Sequence, residues 1–449
     1  MKIKIFRVEK LFNSFNHEIT INSNTGITIV IGENGIGKTV ILEMIEAIFN
    51  KHFGYLNKVV FDTIYIEFTD GVKWQIVKDL TKENPAIKLY PFDVKTNKPN
   101  LKKGIFLLET NDDDRFRRLL PPYLRRVAPD QWEDRRTGIL ISRDEIAHRF
   151  GIGDEIHMSL FSKSSSLPDW VKERIEKNNV SLIKTQRLLF IEERDRERDR
   201  SKFTPIKTVE KYSNELSKLL KSHLAESTDL SSKLDRTYPN RLIKRISKSE
   251  KITAEIITTE LNKLEEKRAL LDKVGLIEID KESSLRKIED NQSDNETLKY
   301  VLKLYVEDSF EKLKIFDILS SKIEILLDVI NKRFKHKKLF IDKEVGFLFK
   351  STILRDKNGE AIDIPVDKLS SGEQNEMVLF YELLFKSKND SLILIDEPEI
   401  SLHISWQNSF INDLKEIAKL NKLEILIATH SPDIISDNWD LKVELKGIE

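Results

Sequence analysis

"IGENGIGKT", residues 31–39, decides how the rest of this chain is read. It matches G-x-x-x-x-G-K-[ST] at Gly32, Gly37, Lys38 and Thr39. The run before it, "GITIVI" (26–31), reads as a strand. The run after it, "KTVILEMIEAIFNKHF" (38–53), sets Ile41, Met44, Ile45 and Ile48 at helical spacing. A loop between a strand and a helix is the setting in which this pattern binds phosphate. Gly35 and Gly37 let the backbone turn its N–H groups around phosphate oxygens, and Glu33, Asn34, Ile36 and Val40 complete the stretch. The helix start adds partial positive charge. Lys38 is expected to bridge the β- and γ-phosphates of ATP, and the Thr39 hydroxyl to ligate Mg²⁺.

Two further apolar runs end in chemistry. "SLILIDEPEI" (391–400) places Asp396 and Glu397 at the end of a buried strand. Adjacent carboxylates there are costly unless a charge pairs them, and a Mg²⁺–nucleotide would do so. Asp396 is expected to reach the metal, and Glu397 to orient or deprotonate the attacking water. "LEILIATHSP" (423–432) ends a second buried strand at His430, which would touch the γ-phosphate and sense hydrolysis. The helical "WQNSFINDLKEIAKL" (406–420) lies between the two, a β-α-β spacing that implies parallel strands.

"VDKLSSGEQNE" (366–376) opens another helix. Ser370 is placed to cap it, which leaves the N–H groups of Ser371 and Gly372, with Glu373 behind, facing an anion. The phosphate loop already surrounds one side of the nucleotide. A second copy of the chain, related by a two-fold axis, would close the other side with its own Ser370–Glu373 stretch.

Outside these motifs the chain is less explicit. Short strands open it ("KIKIFRV", 2–8, and "HEITI", 17–21), and "VVFDTIYIEF" (59–68) and "VKWQIVK" (72–78) form a hairpin across "TDG". Residues 85–150 are irregular, mixing both charges with Pro and aromatics. Strand character returns in "SLIKTQRLLFI" (181–191), before the solvated run "EERDRERDR" (192–200). From about 205 to 334 the pattern is helical. Two seams step three and four: Phe316, Leu319, Ile323, Leu326, Ile330 and the weaker Ile257, Leu261, Leu264, Arg268, Leu271. They fit a helical subdomain packed on itself or an exposed coiled-coil arm. "TYPNRL" (237–242) and "DKVGLIE" (272–278) are expected to break the helices. The resulting layout is an N-terminal lobe (1–84), an irregular insert (85–204), a helical insertion (205–334) and a C-terminal lobe (335–449).

Composition narrows the function. The 449 residues are 39% hydrophobic and 33% charged, with Lys+Arg and Asp+Glu balanced at 75 each. That balance removes any whole-molecule basic field as an argument for nucleic-acid binding. The absence of Cys excludes disulfides, thiolate metal sites and Cys nucleophiles. No run is long and apolar enough to span a membrane, the start has no signal-peptide core, and a cytoplasmic protein is expected.

Taken together and in this order, the motifs resemble the ABC-type ATPases of the SMC/Rad50/OLD group. Gly32–Thr39 looks like Walker A, and "LILIDEPE" like Walker B with its catalytic Glu. "LSSGEQ" is similar to the signature motif, with Ser371 where many members carry Gly. "ISLH" (400–403) resembles the D-loop and "ATHSP" the switch His. The resemblance implies an α/β fold: an ATPase head of mixed sheet plus parallel core, with a large α-helical or coiled-coil insertion. It also implies that Gln186 is the Q-loop glutamine contacting Mg²⁺.

More narrowly, "SSGEQNEMVLFYELLF", "LIDEPEISLHISWQ", "LDRTYPNRLI" and "ATHSPDIISDNWDLKVEL" resemble the stand-alone defence ATPases of bacteria, the AriA-type subunits of PARIS anti-phage systems and the related PtuA-type subunits of Septu. That likeness implies a homo-oligomeric scaffold that restrains a separate TOPRIM nuclease effector until a phage trigger protein is sensed. OLD nucleases carry a TOPRIM domain after the ATPase core. Here only residues 431–449 follow His430, and "NDDD" (111–114) reads as a solvated turn, so the chain is expected not to be a nuclease itself. The alternative is a repair ATPase whose helical insertion clamps duplex DNA, which predicts salt-dependent affinity. A transporter's nucleotide-binding subunit fits the long insertion less well.

Overall fold

Three apolar runs far apart in the chain lie side by side as parallel strands. Leu392–Asp396, Glu424–Ala428 and Ile27–Ile31 are successive neighbours, with Val180–Ile183 on one edge and Lys442–Glu444 on the other. Nearly every side chain of the central three is buried, as expected of a parallel sheet covered on both faces. Ala428 pairs with Asp396 on one side and with Val30 on the other. The three strands therefore end level, and the loops leaving them emerge together, where open parallel sheets place their ligands.

In this computed structural model, residues 2–79, 86–93, 96–107, 120–121, 123–128, 131–136, 139–142, 167–183, 189–191, 205–248, 252–278, 295–400 and 402–447 are described. They divide into two compact units, Met1–Ile206 with Lys386–Glu449, and Lys207–Phe385.

The first unit adds an antiparallel sheet to the parallel one. Its path runs Phe15–Thr20, Ile3–Leu11, Thr63–Phe68, Lys73–Asp79 and Ala86–Asp93. The hairpin between Thr63–Phe68 and Lys73–Asp79 turns at Gly71, whose φ of 81° suits a residue without Cβ. The helix Lys38–Phe49 buries Ile41, Met44, Ile45 and Ile48 in one core with Phe6, Ile66, Leu394 and Leu426. The described residues between 85 and 150 are more regular than their composition suggests. Ala86–Asp93 buries Ile87 and Leu89 at alternate positions, and Leu124–Ala128, Gln131–Asp134 and Ile139–Ser142 form a three-stranded sheet. The "NDDD" stretch and "EERDRERDR" lie outside the described residues.

The second unit is mainly helical. Thr208–Lys248, Ala254–Lys273, Glu296–Lys314 and Asp317–Arg333 precede a three-stranded antiparallel sheet (Lys337–Asp342, Gly346–Arg355, Ala361–Ile364) and the helix Ser371–Tyr381. Both seams are buried within it: Phe316, Leu319, Ile323, Leu326 and Ile330, and Ile257, Leu261, Leu264 and Leu271. Arg268 leaves the second seam to pair with Glu265 and Tyr305. Ile257 and Leu261 share a cluster with Tyr300 and Val306 of the neighbouring helix. The seams therefore pack the insertion on itself.

The expected break at "TYPNRL" does not occur, and Pro239 lies inside the helix Thr208–Lys248. Proline removes one N–H and its ring crowds the preceding turn. Here the residue is exposed, so water reaches the freed groups. Side chains satisfy carbonyls just upstream: Thr237 donates to Lys233 and Leu234, and Arg241 donates to Leu234 at 2.9 Å. Arg241 is fixed in turn by Asp308 of the helix Glu296–Lys314.

Candidate functional site

The phosphate loop begins where Ile27–Ile31 ends. Gly35 and Gly37 have φ of 84° and 98°, the left-handed region in which a side chain would be strained. Gly37 is also close-packed, since a Cβ there would lie 2.5 Å from Leu11 Cδ2. Glu33, Asn34 and Gly35 form the exposed tip; Ile36 turns inward and Val40 packs against the core.

Lys38 is 6% exposed. Its Nζ donates to the Gly32 and Glu33 carbonyls, each at 2.9 Å, and lies 3.3 Å from His430 Nδ1. An ammonium has three N–H donors, and these three acceptors use them all. His430 Nδ1 is then the acceptor and the ring proton sits on Nε2, which faces Glu397 Oε1 at 3.7 Å. Burial lowers the Lys38 pKa, while Glu397, Asp396 and Glu399 oppose the shift.

Thr39 joins the loop to the acid pair, its hydroxyl donating to Asp396 Oδ1 at 3.1 Å. Burial pushes the Asp396 carboxyl up to about 6; the Thr39 bond works against this, and Glu397, Glu43 and Glu399 add to it. A half-buried carboxylate beside a hydroxyl is a hard-oxygen donor pair suited to Mg²⁺. Glu397 has φ of 43°, an unusual conformation for a side chain of its size. Its N–H is anchored to the Ala428 carbonyl at 2.8 Å, which ties the acid to the end of the strand that precedes His430.

The motif pattern left three residues unassigned. Glu399, in the short turn Pro398–Ile400, accepts from the His430 backbone N–H at 2.7 Å and from the Thr429 hydroxyl at 2.8 Å. Gln407 bridges the same two segments, donating to the Leu402 carbonyl at 3.3 Å and accepting from the Ser431 hydroxyl at 2.7 Å. His17 bonds the Ile36 carbonyl. The only sequence signal for Glu399 is its place in "DEPEISLH"; for His17 it is a polar residue at an inward position of an alternating strand.

Lys38, Thr39, Asp396, Glu397 and His430 thus lie together in the first unit. Ser370–Glu373 opens a helix of the second unit, where Ser370 and Glu373 form a reciprocal capping box and Lys337 Nζ holds the Glu373 carboxylate at 2.9 Å. Gln186 and Ser401 of the D-loop-like stretch lie outside the described residues.

The family described as "AAA ATPase domain" (AAA_15) matches residues 1–435. The chain belongs to that family. This ATPase has the fold of an ABC-type P-loop head with a large helical insertion. Comparison with curated proteins returns no match. Among solved structures, it is similar to the Smc head domain with an extended coiled coil bound to the C-terminal domain of ScpA from Pyrococcus furiosus, at 12% identity over 100% of this chain and 94% of that one, with a TM-score of 0.31. The SMC head domain from Thermotoga maritima matches at 9% identity over 97% and 91%, with a TM-score of 0.29. The SmcHead bound to the C-winged helix domain of ScpA matches at 10% over 97% and 91%, with a TM-score of 0.32. These superpositions are loose. Among the described residues, no helix is long and apolar enough to cross a membrane.

Proposed function

We propose that this ATPase is a two-copy switch, in which each ATP is held between the Lys38 loop of one chain and the Ser370 helix start of the other. The observation that carries the reading is the division of the motifs between units: the phosphate loop, acid pair and His430 in one, the capped helix in the other. The capping box already occupies the Ser370 and Glu373 side chains, so the helix start offers an anion its backbone N–H groups and dipole. Ile400 and Ile404, on either side of the D-loop-like stretch, are 68% and 71% exposed. Large apolar side chains at a site's rim suit burial by a second copy.

Within this reading, Lys38 grips the β- and γ-phosphates, and Thr39, Asp396 and Gln186 hold Mg²⁺, which neutralises phosphate charge when bound. Glu397 orients and deprotonates the attacking water, with His430 beside it to contact the γ-phosphate. The test is complementation. Lys38→Ala and Ser370→Arg chains should each be inactive alone. Mixed, they form dimers with one intact composite site, and about a quarter of wild-type ATPase activity should return. No recovery in dimers shown to have exchanged would overturn the arrangement.

For the cellular role, we propose a sensor and scaffold subunit of an anti-phage defence complex, of the AriA type, controlling a separate TOPRIM nuclease. The motif phrases shared with that group support this. Purification of the tagged chain from its native host should bring down a nuclease; recovery of duplex DNA instead would favour the repair-ATPase alternative.

A further inference from the structure

The first hairpin of the chain grips the phosphate loop from outside. His17 lies on Phe15–Thr20, is 3% exposed, and stacks on Phe15 at 5.6 Å between ring centroids. Its Nε2 is 2.9 Å from the Ile36 carbonyl oxygen. A carbonyl only accepts, so Nε2 carries a proton. Nδ1 is buried and has no hydrogen-bond partner among the described residues. Burial also lowers the His17 pKa, the direction that keeps the ring neutral. One residue on, Leu11 of the same hairpin closes over Gly37.

We propose that His17 is a positioning residue of the phosphate loop: by holding the Ile36 carbonyl toward the hairpin, it fixes the Ile36–Gly37 peptide so that the Gly37 N–H points the other way, toward bound phosphate. The argument is planarity. In a trans peptide the C=O and the following N–H point in opposite directions, so anchoring one aims the other. Gly37, at φ of 98° and free of a Cβ, has no side chain of its own to hold this peptide in place. An N–H that is already aimed does not have to be ordered by the ligand. The inference rests on the ATP-site reading above.

The test uses the full chain and Mg-ATP as the probe. His17→Gln keeps an N–H donor at similar reach, whereas His17→Leu removes it. The expected result is a KM and a Kd for Mg-ATP raised about tenfold in His17→Leu, with kcat little changed and Gln restoring affinity to within about threefold. Wild-type affinity in His17→Leu, or equal loss in both variants, would overturn the proposal. If His17→Leu does not fold, ¹⁵N chemical shifts of histidine-labelled wild-type protein decide. A neutral Nε2–H ring supports the assignment, and an Nδ1–H ring or an imidazolium sinks it. Failure of the ATP reading itself would show separately, as a wild-type chain that binds no Mg-ATP.

Discussion

Lys38 Nζ and His430 Nδ1 lie 3.3 Å apart although 392 positions separate them in the chain. With the Gly32 and Glu33 carbonyls taking its other two donors, Lys38 has no N–H free for phosphate. In the ATP-bound state proposed above, phosphate would therefore displace one of these acceptors. His430 is the one brought in from a distant segment, just beyond the strand Glu424–Ala428, so its release would report arrival of the nucleotide to that segment.

Lys38→Ala should sharply weaken Mg-ATP binding by the isolated chain. A buried charge-assisted contact contributes roughly 1.5–3 kcal/mol, so affinity falls at least tenfold and toward a hundredfold. Isothermal titration reads this directly, and unchanged affinity would show that the loop does not hold phosphate through Lys38.

Glu397→Gln should bind Mg-ATP near wild-type affinity and hydrolyse it about 10²–10⁴-fold more slowly, the usual contribution of a general base. Sizing chromatography should then show a dimer that persists in ATP. Hydrolysis at the wild-type rate would remove Glu397 from the chemistry.

Asp396 makes a pH-dependent prediction. Its carboxyl is raised from an ordinary 3.8 to about 6 in the folded chain. A raised pKa means the group stabilises the fold while protonated, below about pH 4, and that this contribution is lost as pH rises through about 6. Asp396→Asn has no proton to lose. Without nucleotide, its Tm should therefore exceed that of the wild type by a margin that widens from pH 4 to pH 7, while Mg²⁺-dependent hydrolysis disappears. A margin that is constant with pH would refute the assignment.

Glu399→Gln cannot accept from both the Thr429 hydroxyl and the His430 N–H as the carboxylate does. It should lower kcat about tenfold with little change in Kd for Mg-ATP, because it loosens the switch segment and leaves the phosphate loop intact. Single-turnover hydrolysis alongside equilibrium binding separates the two quantities. A loss of affinity without a change in kcat would place Glu399 with the phosphate loop instead.

Arg333 and Glu376 form an ion pair that is almost wholly buried, at 4% and 0% side-chain exposure, with the Arg333 guanidinium over Phe380. Arg333→Met or Glu376→Leu alone should cost roughly 3–5 kcal/mol by leaving a buried charge without its opposite, and the double variant much less. Denaturant unfolding of the full cycle measures the difference; additive losses would mean the charges are not coupled.

What the sequence made legible was local. The strand–loop–helix around Lys38, the apolar runs ending at Asp396 and His430, and the Ser370 cap each depend on residues a few positions apart. The contacts that were not legible join distant segments. Glu399 meets His430 only because the strands ending at Asp396 and Ala428 end level, and His17 meets Ile36 only because the first hairpin folds against the loop. Pro239 shows the opposite case, a strong local signal overridden by Thr237, Arg241 and solvent. Residues 85–150 looked irregular because scattered charges obscured strands that pair with near neighbours, Ala86–Asp93 with Lys73–Asp79 and Gln131–Asp134 with the strands on either side of it.

The buried pair also constrains how the Ser370 helix can drift over generations. Glu376 sits on the helix that Ser370 caps, and Arg333 ends the last helix of the insertion. A lineage that lost either charge first would pass through a weakened protein. Replacement there should therefore come in pairs, and descendants that swapped both for apolar residues would keep the helix start while giving up its ionic tether.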